Sequence, residues 1–374
     1  STGRQGPVLV DIPVDIQKKQ IDFTYPDSIE IRSYRPTPQG HPGQIKRVLA
    51  ALQEAKRPLI CAGGGVFSAN AMEELKTFSE IANIPIVTTM MGLSAVSPSY
   101  PLYLGMIGMH GSANANYAMS QADLIILLGA RVGDRAIMSP IGLSKKAKIV
   151  HIDIDPAEIG KNIPTNIPLV GDAKHILNEM IQHPPKADYS TWIAQLKGYP
   201  QKTAKAKKYA KYCNPQEFLT HLMQKADSSA YLVADVGQNQ IWSARNYKIE
   251  SGRFLTTGGM GTMGYSIPAA IGAKIANPNA QVIAICGDGA FQMSMMELAT
   301  IAANQIGVKI IIMNNGVLGM VKETQNKQYN GNEFAVSLNG SPDFVKLAKS
   351  YQINAKRITS LHNINEVLDE FLAE

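Results

Sequence analysis

The stretch VIAICGDGAFQMS (282–294), followed one helix later by KIIIMNNGVLGM (309–320), decides how this chain is read. In each, a short apolar run ends abruptly in a glycine-containing turn: 282–286 in Gly287-Asp288-Gly289, and 309–313 in Asn314-Asn315-Gly316. Short apolar runs bounded by turn signals are the pattern of strands buried on both faces. The amphipathic segment 294–304 supplies the crossover of a parallel βαβ unit. Both strands then deliver oxygen-bearing side chains, Asp288 and Asn315, to one carboxyl edge, where ligands of open α/β sheets collect. A hard divalent cation such as Mg²⁺ prefers octahedral oxygen coordination and keeps water or phosphate oxygens in its remaining positions. One Asp, one Asn and a main-chain carbonyl therefore suffice if a diphosphate supplies the rest. Gly287, Gly289, Gly316 and Gly319 let backbone N–H groups approach phosphate oxygens. Taken singly, GDG and NNG are also ordinary strand-to-helix turns. Their pairing at two strand ends favours the cofactor reading.

The same alternation extends outward. Beyond 309–313 come a helix 343–352, a strand 356–358 and a last helix from 363; before 282–286 lie a helix 215–226, a strand 231–235 and a helix 266–275. The N-terminal half repeats the pattern with helix 44–55, strand 58–62, helix 69–82, strand 84–88, helix 112–122, strands 124–129 and 148–154, and helix 173–181. The fold class is α/β, with two doubly wound parallel-sheet domains, a central one over 44–182 and a C-terminal one over 215–374. Segments 21–43 and 183–214, rich in Pro and polar residues, read as linkers; the second holds a lone Trp192. Residues 7–13 (PVLVDIP) read as a buried strand with no preceding element to pair with, so 1–20 is taken as the terminal strand of a domain otherwise outside this sequence. The final helical pattern stops without a cap, which reads as an incomplete C-terminus.

Composition narrows the function classes. A chain of 374 residues allows two or three domains at about 150 residues each. Its apolar runs, such as 124–129 and 310–313, are too short to span a bilayer. Three scattered cysteines, Cys61, Cys213 and Cys286, with no CxxC, argue against a disulfide framework or a zinc knuckle and for a cytoplasmic location. The net charge of +6 includes the lysines of 202–211, whose helical spacing among alanines marks a solvated face rather than a nucleic-acid site.

Around the two strand ends, GQNQIW (237–242), GGMGTMGYSIPAAIGA (258–273), GDGAFQMS (287–294) and NNGVLGMVKETQ (314–325) resemble the thiamine diphosphate enzymes, and specifically the large catalytic subunit family of acetohydroxyacid synthase, also called acetolactate synthase. GRQGPVLVDIP (3–13), CAGGGVFSA (61–69), VTTMMGLSA (87–95), GMIGMHGSANANYA (105–118), GARVGDR (129–135) and HIDIDPAEIGKN (151–162) extend the resemblance over nearly the whole chain. It implies that Asp288, the Asn315 side chain and the Val317 carbonyl hold Mg²⁺ against the diphosphate. It further implies that Val236, Gly237, Gln238, Asn239, Gly261, Met263, Gly287, Gly289, Ala290, Leu318, Gly319 and Met320 line thiamine diphosphate, with Met263 as the wedge that bends it. Inside GTMGY that role competes with an ordinary core methionine.

The resemblance also implies a central domain of FAD-binding type, with a flavin that has no redox role. It would run past Gly63-Gly64-Gly65, Thr89-Met90-Met91, Gly108-Met109-His110, Gly129, Arg131, Arg135, Asp153-Ile154 and Asp172-Ala173. The residues themselves support this more weakly. A glycine run fits phosphate, an Arg fits a diphosphate, and an acid ending a strand fits ribose hydroxyls, yet Arg131 or Arg135 could simply pair with Asp134. The activity implied is decarboxylation of pyruvate and condensation with a second 2-keto acid to 2-acetolactate, in branched-chain amino acid biosynthesis. The implied assembly is a homodimer or tetramer with a small regulatory subunit. The glutamate that activates the cofactor belongs to the family's N-terminal pyrimidine-binding domain, and no residue here matches it, so residues 1–374 alone are expected to be inactive. Three positions depart from the family: Thr324 where a Trp is common, Gly133 in place of an Asp, and Asn239 in place of a His. Another thiamine-dependent carboligase or decarboxylase, a nucleotide-binding module without thiamine, and a ligand-free assembly scaffold stay open as alternatives.

Overall fold

A computed structural model of the chain describes residues 2–29, 38–200 and 213–373. The lysine-rich stretch 202–211 lies outside the described residues. The first sheet is built from β1 (Pro58–Ala62), β2 (Ile86–Thr88), β3 (Tyr103–Met106), β4 (Leu124–Leu128), β5 (Lys148–Asp153) and β6 (Ile167–Val170) in the order β3-β2-β1-β4-β5-β6, every neighbour parallel. The second holds β7 (Tyr231–Ala234), β8 (Arg253–Thr256), β9 (Val282–Gly287) and β10 (Lys309–Met313) in the order β10-β9-β7-β8, again all parallel. Both orders reverse direction once, between β1 and β4 and between β7 and β9. Those are the switch points where an open sheet leaves a crevice at its carboxyl edge.

Burial follows the two-residue pleat. Leu124, Ile126 and Leu128 of β4 pack into one core with Ile60 and Ala62 of β1, while Ile125 and Leu127 join Leu59 and Cys61 in the core on the opposite face. The second sheet does the same, with Leu232, Ala234, Ile283 and Ile285 on one side and Val233, Val282, Ala284 and Cys286 on the other. Leu93 and Met106 of the first domain enter the core that covers one face of the second sheet, so the two domains share apolar packing.

Several sequence expectations are corrected. Residues 7–13, expected as the strand of a domain outside this sequence, pair with neither sheet and form no strand; Val8 and Leu9 are 84% and 89% exposed. Near it, Arg4 reaches Asp155 at 3.0 Å and Glu158 at 2.7 Å. Residues 356–358 also stay unpaired, with Ile358 packing as a loop side chain against the C-terminal core. The helix expected over 294–304 runs only over Glu297–Asn304, and a separate short helix, Asp288–Gln292, precedes it directly after β9. The linker 183–214 contains a helix, Ser190–Lys197, whose Trp192 is 2% exposed and donates its indole N–H to the Pro58 carbonyl at 3.1 Å. The connector therefore closes over the start of β1.

Candidate active site

The carboxyl ends of β7, β9 and β10 lie side by side, and a lattice of buried polar groups fixes them. Asp235, directly after β7, is fully buried. Its Oδ1 accepts the N–H of Val236 at 3.0 Å and of Gly264 at 3.1 Å, and its Oδ2 accepts the N–H of Ser266 at 2.8 Å. The Asn239 amide donates to the carbonyls of Asp235 (2.8 Å) and Ile285 (3.2 Å), tying β7 to β9. Gln240 donates to Thr256 Oγ1 at 2.6 Å, and that hydroxyl donates to the Ala234 carbonyl at 2.8 Å, tying β8 to β7. Asn239, expected to line a cofactor, thus has both amide hydrogens engaged on strand-end carbonyls.

Asp288 follows β9 and is 1% exposed; its Oδ2 accepts the Gly316 N–H at 2.8 Å, which locks the turn after β9 to the turn after β10. Burial pushes its carboxyl above the usual range, and the backbone N–H groups of Gly316 and Gly289 pull in the opposite direction. None of the ion pairs among the described residues includes Asp288. A buried carboxylate without a countercharge is unfavourable, and a cation at this edge relieves it. Asn315 lies one residue from Gly316, its Oδ1 accepting the Val317 N–H at 3.1 Å. Among the described residues no donor reaches the Val317 carbonyl, and no three His, Cys, Asp or Glu side chains gather as a metal site. A cation at Asp288 would therefore complete its shell with amide, carbonyl and ligand oxygens, as a hard ion prefers.

Met263 is half-buried in the core of the second sheet and reaches this same turn. A Cβ placed on Gly289 would lie 2.9 Å from Leu318 Cδ2 and 3.3 Å from Met263 Cε. The turn is thus flanked by apolar side chains, with the acid behind it. Val236, Gly237 and Gln238 leave the end of β7, and Gly261 lies near Val236, whose Cγ2 would be 3.6 Å from a Gly261 Cβ. Ala290 is buried in the first turn after Asp288, and Gly319 and Met320 open helix Gly319–Gln328, where Gln238 donates to Glu323 at 3.3 Å.

The expected flavin residues fall on one edge of the first sheet: Gly63–Gly65 after β1, Thr89–Met91 after β2, Gly108–His110 after β3, Gly129, Arg131 and Arg135 after β4, Asp153 and Ile154 at β5, and Asp172 and Ala173 after β6. The glycines have a cause that needs no ligand. A Cβ on Gly63 would lie 2.3 Å from the Gly129 carbonyl oxygen, and one on Gly65 2.7 Å from the Gly129 Cα, so the two loops at the switch point interlock backbone to backbone. Asp172 Oδ1 caps helix Ala173–Gln182 through the N–H groups of Lys174 and His175. Burial raises the Asp153 carboxyl. Arg131 and Arg135 are exposed and make no ion pair with Asp134, contrary to the simpler sequence reading; Asp134 instead accepts the Arg135 backbone N–H at 2.9 Å. Two exposed guanidinium groups at a sheet edge fit a diphosphate. A Cβ on Gly133 would meet open space, so no packing demands glycine there.

The two edges meet. Arg245 donates to the His110 carbonyl at 2.9 Å, and Met91 lies where a side chain on Gly258 would sit, 2.2 Å from its Cβ. Burial first, then Arg245, hold the His110 imidazole below its ordinary range, opposed by Glu323. Burial pushes the Cys61 thiol up to about 12 and raises Cys286 further, so neither is a nucleophile.

Sequence reasoning missed Asp235 and the Gln240–Thr256 pair. The available signal was an acid ending a buried strand directly before a glycine turn.

A parallel sheet that presents a buried acid at the end of β9 and an amide after the neighbouring β10, beside a second Rossmann-like sheet, fits the class of thiamine pyrophosphate enzymes, and the family matches place the chain there. Residues 45–180 match the thiamine pyrophosphate enzyme central domain, and 235–374 match the C-terminal TPP binding domain. The chain is 43% identical to the probable acetolactate synthase large subunit of Methanococcus aeolicus over 99% of this chain and 65% of that protein. For the acetolactate synthase large subunit of Buchnera aphidicola the figures are 41%, 100% and 66%, and for isozyme 3 of Escherichia coli 36%, 100% and 67%. The chain belongs to the acetolactate synthase large-subunit family. It spans about two thirds of the length of the curated relatives it matches.

Proposed function

We propose that the protein containing this chain is an acetolactate synthase, forming 2-acetolactate from two molecules of pyruvate, or the corresponding product with a different 2-keto acid as acceptor. The observation that carries this reading is the buried Asp288 carboxylate without a countercharge, hydrogen-bonded to the turn that bears Asn315. Thiamine diphosphate, when bound, supplies the electron sink that lets a 2-keto acid lose CO₂ and its remaining two carbons join an acceptor. The chain's own part is positional and electrostatic. Asp288, the Asn315 amide oxygen and the Val317 carbonyl would hold Mg²⁺ at the cofactor's diphosphate. Leu318 and Met263 frame the apolar side of the Gly289 turn, and Val236 to Gln238 line the end of β7. Arg131 and Arg135, at the first sheet's edge, would hold the diphosphate of an FAD that serves as a structural group. Thr324, whose hydroxyl donates to the Met320 carbonyl at 3.0 Å, leaves the acceptor side without the family's indole. Assembly as a homodimer or tetramer with a small regulatory subunit, in the cytoplasm, belongs to the same reading. Among the described residues no helix is long and apolar enough to cross a membrane.

The test is product analysis of the complete protein with pyruvate, Mg²⁺ and thiamine diphosphate. Acetolactate supports the proposal. Acetaldehyde as the main product would favour a decarboxylase, and turnover without thiamine diphosphate would refute the reading.

A further inference from the structure

Asp235 lies outside every residue set assigned above to a cofactor or metal, yet it is the most completely buried acid at the second sheet's switch point. It accepts three backbone N–H groups, one from its neighbour and two from a segment nearly thirty residues later. Of those two donors, Gly264 immediately follows Met263 and Ser266 lies three residues beyond it. Gly264 sits at φ +85°, a left-handed conformation that glycine adopts without the cost a side chain would carry. A Cβ on Gly264 would also lie 3.1 Å from Met293 Cβ, so the loop is pinned on its far side by packing and on its near side by the carboxylate. Met263 thus has little freedom to rise or sink, and its methyl group borders the Gly289 turn beside Asp288.

We propose that Asp235 is a positioning residue that acts through Met263, setting the height of the apolar floor on which a bound thiamine diphosphate is bent. The proposal rests on the thiamine diphosphate reading above. Its physical basis is that a carboxylate can accept on both oxygens at once, whereas an amide of the same size accepts on one and turns an N–H donor toward the other. Asp235→Asn therefore keeps the volume and loses part of the tether, and a displacement of about 1 Å in a reacting group is enough for a rate loss of roughly a hundredfold.

The experiment uses the complete protein in three variants, Asp235→Asn, Met263→Ala and the pair. For each, the affinity for thiamine diphosphate with Mg²⁺ is measured by calorimetry, and the rate at which the bound cofactor's thiazolium C2 proton exchanges with deuterium is read by NMR after acid quench. Asp235→Asn should leave the affinity within about twofold of the parent, the range of independent sites, and slow the exchange by at least about tenfold. Met263→Ala should give the same split, and the double variant should be no slower than Met263→Ala alone. Unchanged exchange in Asp235→Asn, or a double variant as slow as the product of the two single effects, would overturn the proposal. So would a joint loss of affinity and exchange. Native-state amide exchange on the unaltered protein, without cofactor, gives a reading that needs no variant: the Gly264 and Ser266 amides should be protected well beyond those of 258–262. Exchange of all these amides at one rate would sink the tether even if Asp235→Asn fails to fold. Absence of thiamine diphosphate binding by the parent would instead refute the functional reading, leaving the amide-exchange result to judge Asp235.

Discussion

Replacing Asp288 by Asn separates what the buried acid does for the fold from what it does for a ligand. The carboxylate is 1% exposed, has no ion-pair partner among the described residues, and accepts one backbone N–H at 2.8 Å. Burial raises its folded-state pKa above the ordinary carboxylate range. A raised acid favours its protonated form in the native state, so its contribution is most favourable below the unfolded pKa and is lost as pH climbs through the higher folded value. At neutral pH the ionised group therefore works against the cofactor-free fold. Asn keeps an acceptor for Gly316 without that charge, so the variant without cofactor should be at least as stable as the parent at pH 7, and its relative gain should shrink toward pH 4. With Mg²⁺ and thiamine diphosphate the order should reverse. At a ligand concentration of about 100 times the dissociation constant, binding stabilises the parent by about 2.7 kcal/mol. A loss of affinity of about 100-fold, reasonable for removing a metal-binding carboxylate, would reduce that to about 0.4 kcal/mol in the variant. Differential scanning fluorimetry at pH 4.5 and 7, with and without Mg²⁺ and thiamine diphosphate, reads both effects. At about 2–4 °C per kcal/mol, the ligand-induced shift should fall from several degrees to about one. A full shift in Asp288→Asn, or a cofactor-free variant markedly less stable than the parent at pH 7, would refute the assignment of this carboxylate to a cation.

Gly63→Ala should destabilise the central domain by about 1–3 kcal/mol or more, because the new methyl would lie 2.3 Å from the Gly129 carbonyl oxygen; urea unfolding measures it, and a change below 0.5 kcal/mol, about the noise of a surface site, would remove the interlock argument. Residues 1–374 expressed alone should give no acetolactate from pyruvate, because the family resemblance assigns cofactor activation to a carboxylate that no residue of this span matches, a group expected to contribute roughly 10²–10⁴ in rate; ordinary turnover would show that a residue within this span does that work.

How far the sequence could be read depended on whether a residue's role is local. β1, β4 and β9 are legible because each is a continuous apolar run set beside a turn, and a strand buried on both faces needs little else to be recognised; β10, expected to be buried in the same way, is the edge strand of its sheet and only half-buried. β3, β6 and β8 are four residues each, with partial exposure, and β3 and β6 carry Gly105 and Pro168; nothing in such short runs separates a strand from a loop until a neighbour pairs with it. PVLVDIP shows the converse: its composition favours burial between strands, yet it pairs with neither sheet and stays exposed. The same division runs through the site. Asp288 and Asn315 announce themselves because side-chain chemistry at a strand end is visible in one dimension. Gly63 and Gly129 are equally visible but ambiguous, because a glycine that admits a phosphate and a glycine that admits another backbone are the same letter; the structure adds that their two backbones approach each other. Asp235 was hidden because its partners are main-chain N–H groups, which every residue but proline possesses, and folding alone selects Gly264 and Ser266 from among them. Residues that touch a ligand can therefore be proposed from a string, whereas those that hold the ligand-touching residues in place become visible only once the backbone has chosen its contacts.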